Sequence, residues 1–133
     1  GPPPRPCSDT ALRSLFAEKV WAWEGRCYHC HAGDGVEAGL AGAPTWVAEE
    51  DDEEAAIDGT FDRILARSYL DLNAPSESLL LLKPLARNVG GLRHGGGDKF
   101  LTLEDPAYLD FLFWVQTYAA CAQGRPLPGS PAP

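Results

Sequence analysis

The chain predicts an all-α fold, on three observations. Leu12, Leu15, Phe16, Val20 and Trp23 recur at three- and four-residue steps, the period of one helix face. Asp105 followed by Pro106 is a strong helix start, because an acid can cap the first turn and proline sacrifices no hydrogen bond at the first helical position. Twelve prolines and fourteen glycines among 133 residues predict many turns and long irregular connections between the helices.

The elements follow in order. Residues 1–7 are a proline-rich extension and 124–133 a proline-rich tail, so the domain is expected at 8–123. Ser8 is a good N-cap and Asp9 suits the positive end of the helix dipole, so a first helix is expected to run from there to Gly25. The stretch 32–45 is glycine-rich and reads as a loop, followed by the apolar pair Trp46 and Val47. Asp58-Gly59 breaks the next pattern, so Thr60 is expected to cap a second helix reaching about Ser68, with Ile57, Phe61, Ile64 and Leu65 inward. Asn73-Ala74-Pro75-Ser76 predicts a turn, and Leu79 to Leu82 a short helical turn stopped by Pro84 and buried on more than one side. Residues 87–99 are again glycine-rich. The last helix is expected to reach about Ala122, with Leu109, Leu112, Phe113, Gln116 and Ala120 on its inner face. Tyr69, Tyr108 and Trp114 are expected to close the core.

The formal charge of −8 argues against nucleic acid and anionic membranes as partners, and is compatible with docking to a basic surface. Six consecutive acids, 49–54, fit either a solvated loop or the acidic first turn of a helix better than a dedicated docking patch. No apolar run reaches the roughly 18 residues of a transmembrane helix.

The chemistry is concentrated in Cys27-Tyr28-His29-Cys30-His31, which reads C-x-x-C-H. Two thiols three residues apart in one turn can each add to one vinyl group of a porphyrin. The adjacent histidine is then held beneath the iron as its proximal ligand, so the spacing predicts covalently attached haem c. A zinc site would want a second ligand pair at similar spacing, and a redox dithiol a β-rich context; the chain offers neither. Covalent attachment of this kind implies export, to a periplasmic or cell-surface location. A targeting segment or larger parent protein is therefore expected to have been removed, and any membrane association to have depended on it.

Of the four cysteines, Cys7 and Cys121 remain. In an exported protein such a pair predicts a disulfide joining the ends of the chain, against the alternatives of two unpaired thiols or a lipid-bearing Cys7.

The chain has no methionine, which excludes the His/Met axial pair of ordinary electron-carrying cytochromes. Among three histidines, His31 is the proximal ligand and His29 points away inside the attachment loop, leaving His94 as the distal candidate. Three glycines follow it and let backbone approach a flat macrocycle. An empty or water-bound distal site is the alternative, and Lys83 or Lys99 are weaker candidates. Arg93, Arg87 and Lys99 can pair with haem propionates or lie as solvated loop charges. Trp46 can pack on the loop or on the porphyrin.

Ser78-Leu79-Leu80-Leu81-Leu82-Lys83-Pro84, His94-Gly95-Gly96-Gly97, Asp105-Pro106-Ala107-Tyr108 and Phe113-Trp114-Val115, in this order after C-x-x-C-H, resemble the small cytochrome c domain of planctomycete-type surface proteins. The resemblance spans about 12–122 and is strongest over 77–115. It implies an all-α, cytochrome c-like helical domain around one covalent haem, with the HGGG histidine, His94, facing it. It also implies that the domain is one module of a longer polypeptide. The six-acid run and the Cys7/Cys121 pair depart from that pattern.

The expected function is one-electron transfer to a redox partner protein, with His31 and His94 as metal ligands. Cys27, Cys30, Arg93 and Trp46 complete the expected cofactor site. A peroxidase-like or gas-sensing haem with an open sixth position, and a haem-stabilised interaction module, are the rivals.

Overall fold

The computed structural model describes residues 6–27, 31, 44–92 and 98–129. Cys30, Arg93 and His94, the greater part of the loop expected at 32–45, and the outer ends of both proline-rich extensions lie outside the described residues.

Helix α1, Asp9–Lys19, begins where its capping residue dictates: the Ser8 side chain accepts from the Ala11 N–H at 3.0 Å. It does not run to Gly25. It ends at Lys19, with the Val20 N–H still bonded to Phe16 O, and the chain tightens into a 3₁₀ turn over Trp21–Arg26. Bulky Trp21 and Trp23 and the flexible Gly25 are poor α-formers. Within this turn the Trp23 indole donates to Asp110 Oδ2 at 2.8 Å.

Helix α2, Glu53–Ala66, corrects the sequence expectation at its start. It begins seven residues before Thr60 and runs straight through Asp58-Gly59. Thr60 is no cap: it is buried mid-helix, donating to Ala56 O at 2.8 Å and accepting from the Ala48 N–H at 2.9 Å. Gly59 is favoured at this helical position because a Cβ there would lie 2.9 Å from Ala48 Cβ. The glycine is a close-approach site, and the segment before the helix lies against it. Glu53 and Glu54 occupy the first turn, and all of 49–54 is exposed, as the solvated-turn reading of the acidic run requires.

A 3₁₀ turn at Pro75–Glu77 leads into the single-turn helix α3, Leu79–Leu82. Leu80 and Leu81 are buried, but Leu79 is 42% exposed, so the four leucines are not sealed on all sides. Beyond Pro84 the chain makes one isolated parallel bridge, Leu85 with Phe100; the described residues contain no sheet. Gly91 has no alternative here, because a Cβ would fall 1.8 Å from Leu85 O.

Helix α4, Pro106–Gln123, has the expected start: Asp105 caps the Ala107 N–H at 2.9 Å and Pro106 follows at the first position. Gly124, at φ 64°, takes the left-handed conformation that closes it. Its buried face is the expected one only in part: Tyr108, Trp114 and Ala120 are buried and Leu112 packs against the core, as expected. Ala107, Tyr108, Phe111, Trp114, Val115 and Ala119 point inward, whereas Leu109 is 48% and Phe113 38% exposed. An almost uniformly apolar helix carries two stripes that both satisfy the 3.6 period. The rotation that wins is the one that buries the larger aromatic mass.

That mass meets α1 and α2 at the centre, where Phe16, Phe61 and Trp114 pack edge to face with centroids 5.0–5.8 Å apart. The Trp114 indole donates to Leu12 O at 3.3 Å. The sulfurs of Cys7 and Cys121 lie 2.03 Å apart, so the expected bridge across 114 residues of chain is present and clasps the start of α1 to the end of α4.

Candidate functional site

The site is built where the 3₁₀ turn delivers Cys27. The His31 N–H bonds to Cys27 O at 3.0 Å, one helical turn back. Residues four apart on a turn share a face, so the Cys27 thiol and the His31 imidazole project to the same side. Both are buried, His31 with only 9% of its surface exposed.

The imidazole is oriented by its neighbours. His31 Nδ1 stands 2.7 Å from Pro44 O. A carbonyl oxygen can only accept, so the proton of this bond resides on Nδ1, and in the neutral ring Nε2 carries the lone pair. A histidine whose Nδ1–H is donated to a backbone carbonyl is the usual form of a metal-ligating imidazole. The buried indole of Trp46 packs beside it, with ring centroids 5.1 Å apart and planes tilted by 33°.

The carbonyl acceptor belongs to a strap, residues 44–48, that is held on both sides. Toward the site, Val47 N donates to His31 O at 3.0 Å. Toward α2, the Thr60 hydroxyl takes the Ala48 N–H and Gly59 leaves room for Ala48. Arg63 and Arg67 each donate to Thr45 O at 3.1 Å, and Arg63 also reaches Val47 O at 3.4 Å.

Arg26, next to Cys27, ties the other flank. Its Nη1 donates to both carboxylate oxygens of Asp105 at 3.0 Å and to Lys99 O at 3.1 Å, and its guanidinium stacks on Trp23 at 4.8 Å. Burial alone would push the Asp105 carboxyl up. The Ala107 N–H and the Arg26 guanidinium outweigh it and hold the carboxyl below its ordinary value. The Tyr108 phenol is pushed up by burial.

Cys27, His31 and Trp46 are thus brought together, while Cys30, Arg93 and His94 lie outside the described residues. The chain on either side of Arg93 and His94 is nevertheless pinned: Leu92 N donates to Leu82 O at 2.8 Å, and Lys99 and Phe100 both donate to Pro84 O. Of the cations read as propionate partners, Arg87 is exposed and Lys99 half-buried. Among the described residues no three His, Cys, Asp or Glu side chains gather into a metal-binding cluster, and no helix is long and apolar enough to cross a membrane.

Sequence reasoning missed the Pro44 carbonyl, which no side-chain pattern encodes. It also missed Arg63 and Arg67. Their signal was available as two cations at i and i+4 on the helix that follows the acidic run. No family model, curated protein or solved structure matches the chain.

Proposed function

We propose that this chain is an exported c-type cytochrome domain that relays single electrons to a partner protein. The observation that carries the reading is the buried His31 imidazole with its Nδ1 at 2.7 Å from Pro44 O, one turn beyond a buried Cys27 inside C-x-x-C-H. These residues fit a covalent haem. Cys27 and Cys30 would supply the two thioether sulfurs, and His31 and His94 would be the histidines that hold the iron. Bound in this way, the haem supplies a one-electron ferric/ferrous couple.

The chain's own residues do the rest. Pro44 O holds the imidazole in the ligating tautomer and raises its basicity. Trp46 and Val47 keep water from the proximal side. Two nitrogen ligands without a thioether give a lower potential than a His/Met pair. The net charge of −8 suits a partner with a basic docking face. The order of the SLLLLKP, HGGG and DPAY blocks supports membership of the planctomycete-type cytochrome domains.

The test is expression of the whole chain in a host with haem-attachment machinery, followed by a pyridine haemochrome spectrum and intact mass. One covalent haem is expected, lost in Cys30→Ser together with His31→Ala. A ferrous protein that binds carbon monoxide only slowly is the expected sign that His94 fills the sixth position. Absence of covalent haem overturns the reading; a ferric high-spin band or turnover with peroxide replaces electron transfer with an open-site enzyme.

A further inference from the structure

We propose that Arg63 and Arg67 are positioning residues for His31, acting through the carbonyl of Thr45; this rests on the reading of His31 as a haem-iron ligand. Arg63 lies in the last turn of α2 and Arg67 is the residue that caps its C-terminal end, and each places an Nη1 3.1 Å from the same oxygen, Thr45 O. A carbonyl has two lone pairs, and here both are taken by guanidinium donors. The preceding carbonyl, Pro44 O, is the one that accepts from His31 Nδ1 at 2.7 Å.

Peptide groups are planar, so only the φ and ψ of Thr45 separate the clamped carbonyl from the one that orients the imidazole. The Trp46 N–H, part of the same peptide as Thr45 O, donates to Pro44 O at 3.1 Å, so fixing the clamped carbonyl restricts the one that orients the imidazole. The strap does not need these arginines merely to stay attached. Thr60 already takes the Ala48 N–H, and Val47 N already bonds to His31 O. Arg63 reaches Val47 O at 3.4 Å as well, but the shorter bonds of both arginines lie at the other end of the strap, on Thr45 O next to Pro44. They also turn toward a carbonyl in a chain rich in carboxylates, whereas Arg13 on α1 takes the commoner course and binds Asp9, Asp58 and Asp62.

Lysine keeps the charge of arginine but loses its planar fork, so it separates geometry from electrostatics. The experiment compares the haem-loaded full chain with Arg63→Lys, Arg67→Lys and the double variant. It measures solvent exchange of the His31 ring N–H by NMR in the ferrous state, and the midpoint potential. In the double variant, exchange is expected to quicken by about tenfold, the scale on which outer-shell partners act. The potential is expected to rise, because a weaker Nδ1–H···O bond makes the imidazole a poorer donor to ferric iron. Each single variant is expected to show part of both effects, and Arg13→Lys neither. Unchanged exchange and potential in the double variant, with only a lowered Tm, would leave the arginines as packing and overturn the proposal. If the double variant does not fold, Arg67→Lys alone decides by the same two readouts, since it removes one bond from an exposed residue. A wild-type chain without a haemochrome band defeats the haem reading and this inference together; a haem-bearing wild type with unresponsive variants defeats this inference alone.

Discussion

Two regions of this molecule are held by different physics. The clasp of α1 on α4 is apolar and covalent: Phe16 and Trp114 are fully buried, Phe61 packs against both, and the Cys7–Cys121 bridge closes the far end. The strap at 44–48 is polar. It is held by the Thr60 hydroxyl, by two guanidinium groups on Thr45 O and by main-chain bonds to His31. Dispersion and burial are strong but non-directional, and they secure the fold while tolerating small shifts. Hydrogen bonds contribute less net energy each but fix direction, which an oriented imidazole needs. The clasp therefore carries stability and the strap carries geometry.

Mutations can break or sharpen that contrast. Trp114→Ala has the largest expected effect, about 3–5 kcal/mol of stability, because it leaves a cavity between Phe16 and Phe61. Urea unfolding should show it as a lower midpoint, and a loss below about 1 kcal/mol would mean that the clasp is not the main support. Next comes removal of the Cys7–Cys121 bridge by paired serine substitution. A native disulfide is typically worth about 2–4 kcal/mol, in the chain-entropy account by restricting the unfolded chain. Thermal melts with and without reductant should differ accordingly, while the absorption spectrum of the loaded protein stays put. The smallest effect on stability is expected at the strap. Thr60→Val preserves shape but strands the buried Ala48 N–H, at about 1–3 kcal/mol. Thr60→Ser should restore the bond, and with it the His31 environment read by NMR. If the valine variant left that environment untouched, the division of labour between clasp and strap would be wrong.

Local chemistry was legible from the residues alone. Ser8 and Asp105-Pro106 start helices where capping rules place them, because a cap is a contact between residues two or three apart. The bridge between Cys7 and Cys121 followed from counting thiols once two were assigned to the attachment motif. The inward face of α4 was legible only in part: Tyr108, Trp114 and Ala120 are buried as expected, but Leu109 and Phe113 are not, since apolar residues surround that helix and packing against the aromatics of α1 and α2 selects its rotation. Nor was the start of α2. Gly59 and Thr60 look like a break and a cap until Ala48 is packed against them, and then both are interior residues with defined contacts.

The sequence by itself determined the all-α class, the helix starts at Ser8 and Asp105 and the C-x-x-C-H motif, because each depends on residue type and short-range spacing, and it determined the disulfide partners because only two thiols remained outside that motif. Tertiary structure decided which face of α4 is buried, and why a glycine can sit inside α2. It also decided which atom orients His31. That atom is the Pro44 main-chain oxygen, and every residue carries one like it. Only the packing of the strap between α2 and His31 singles it out.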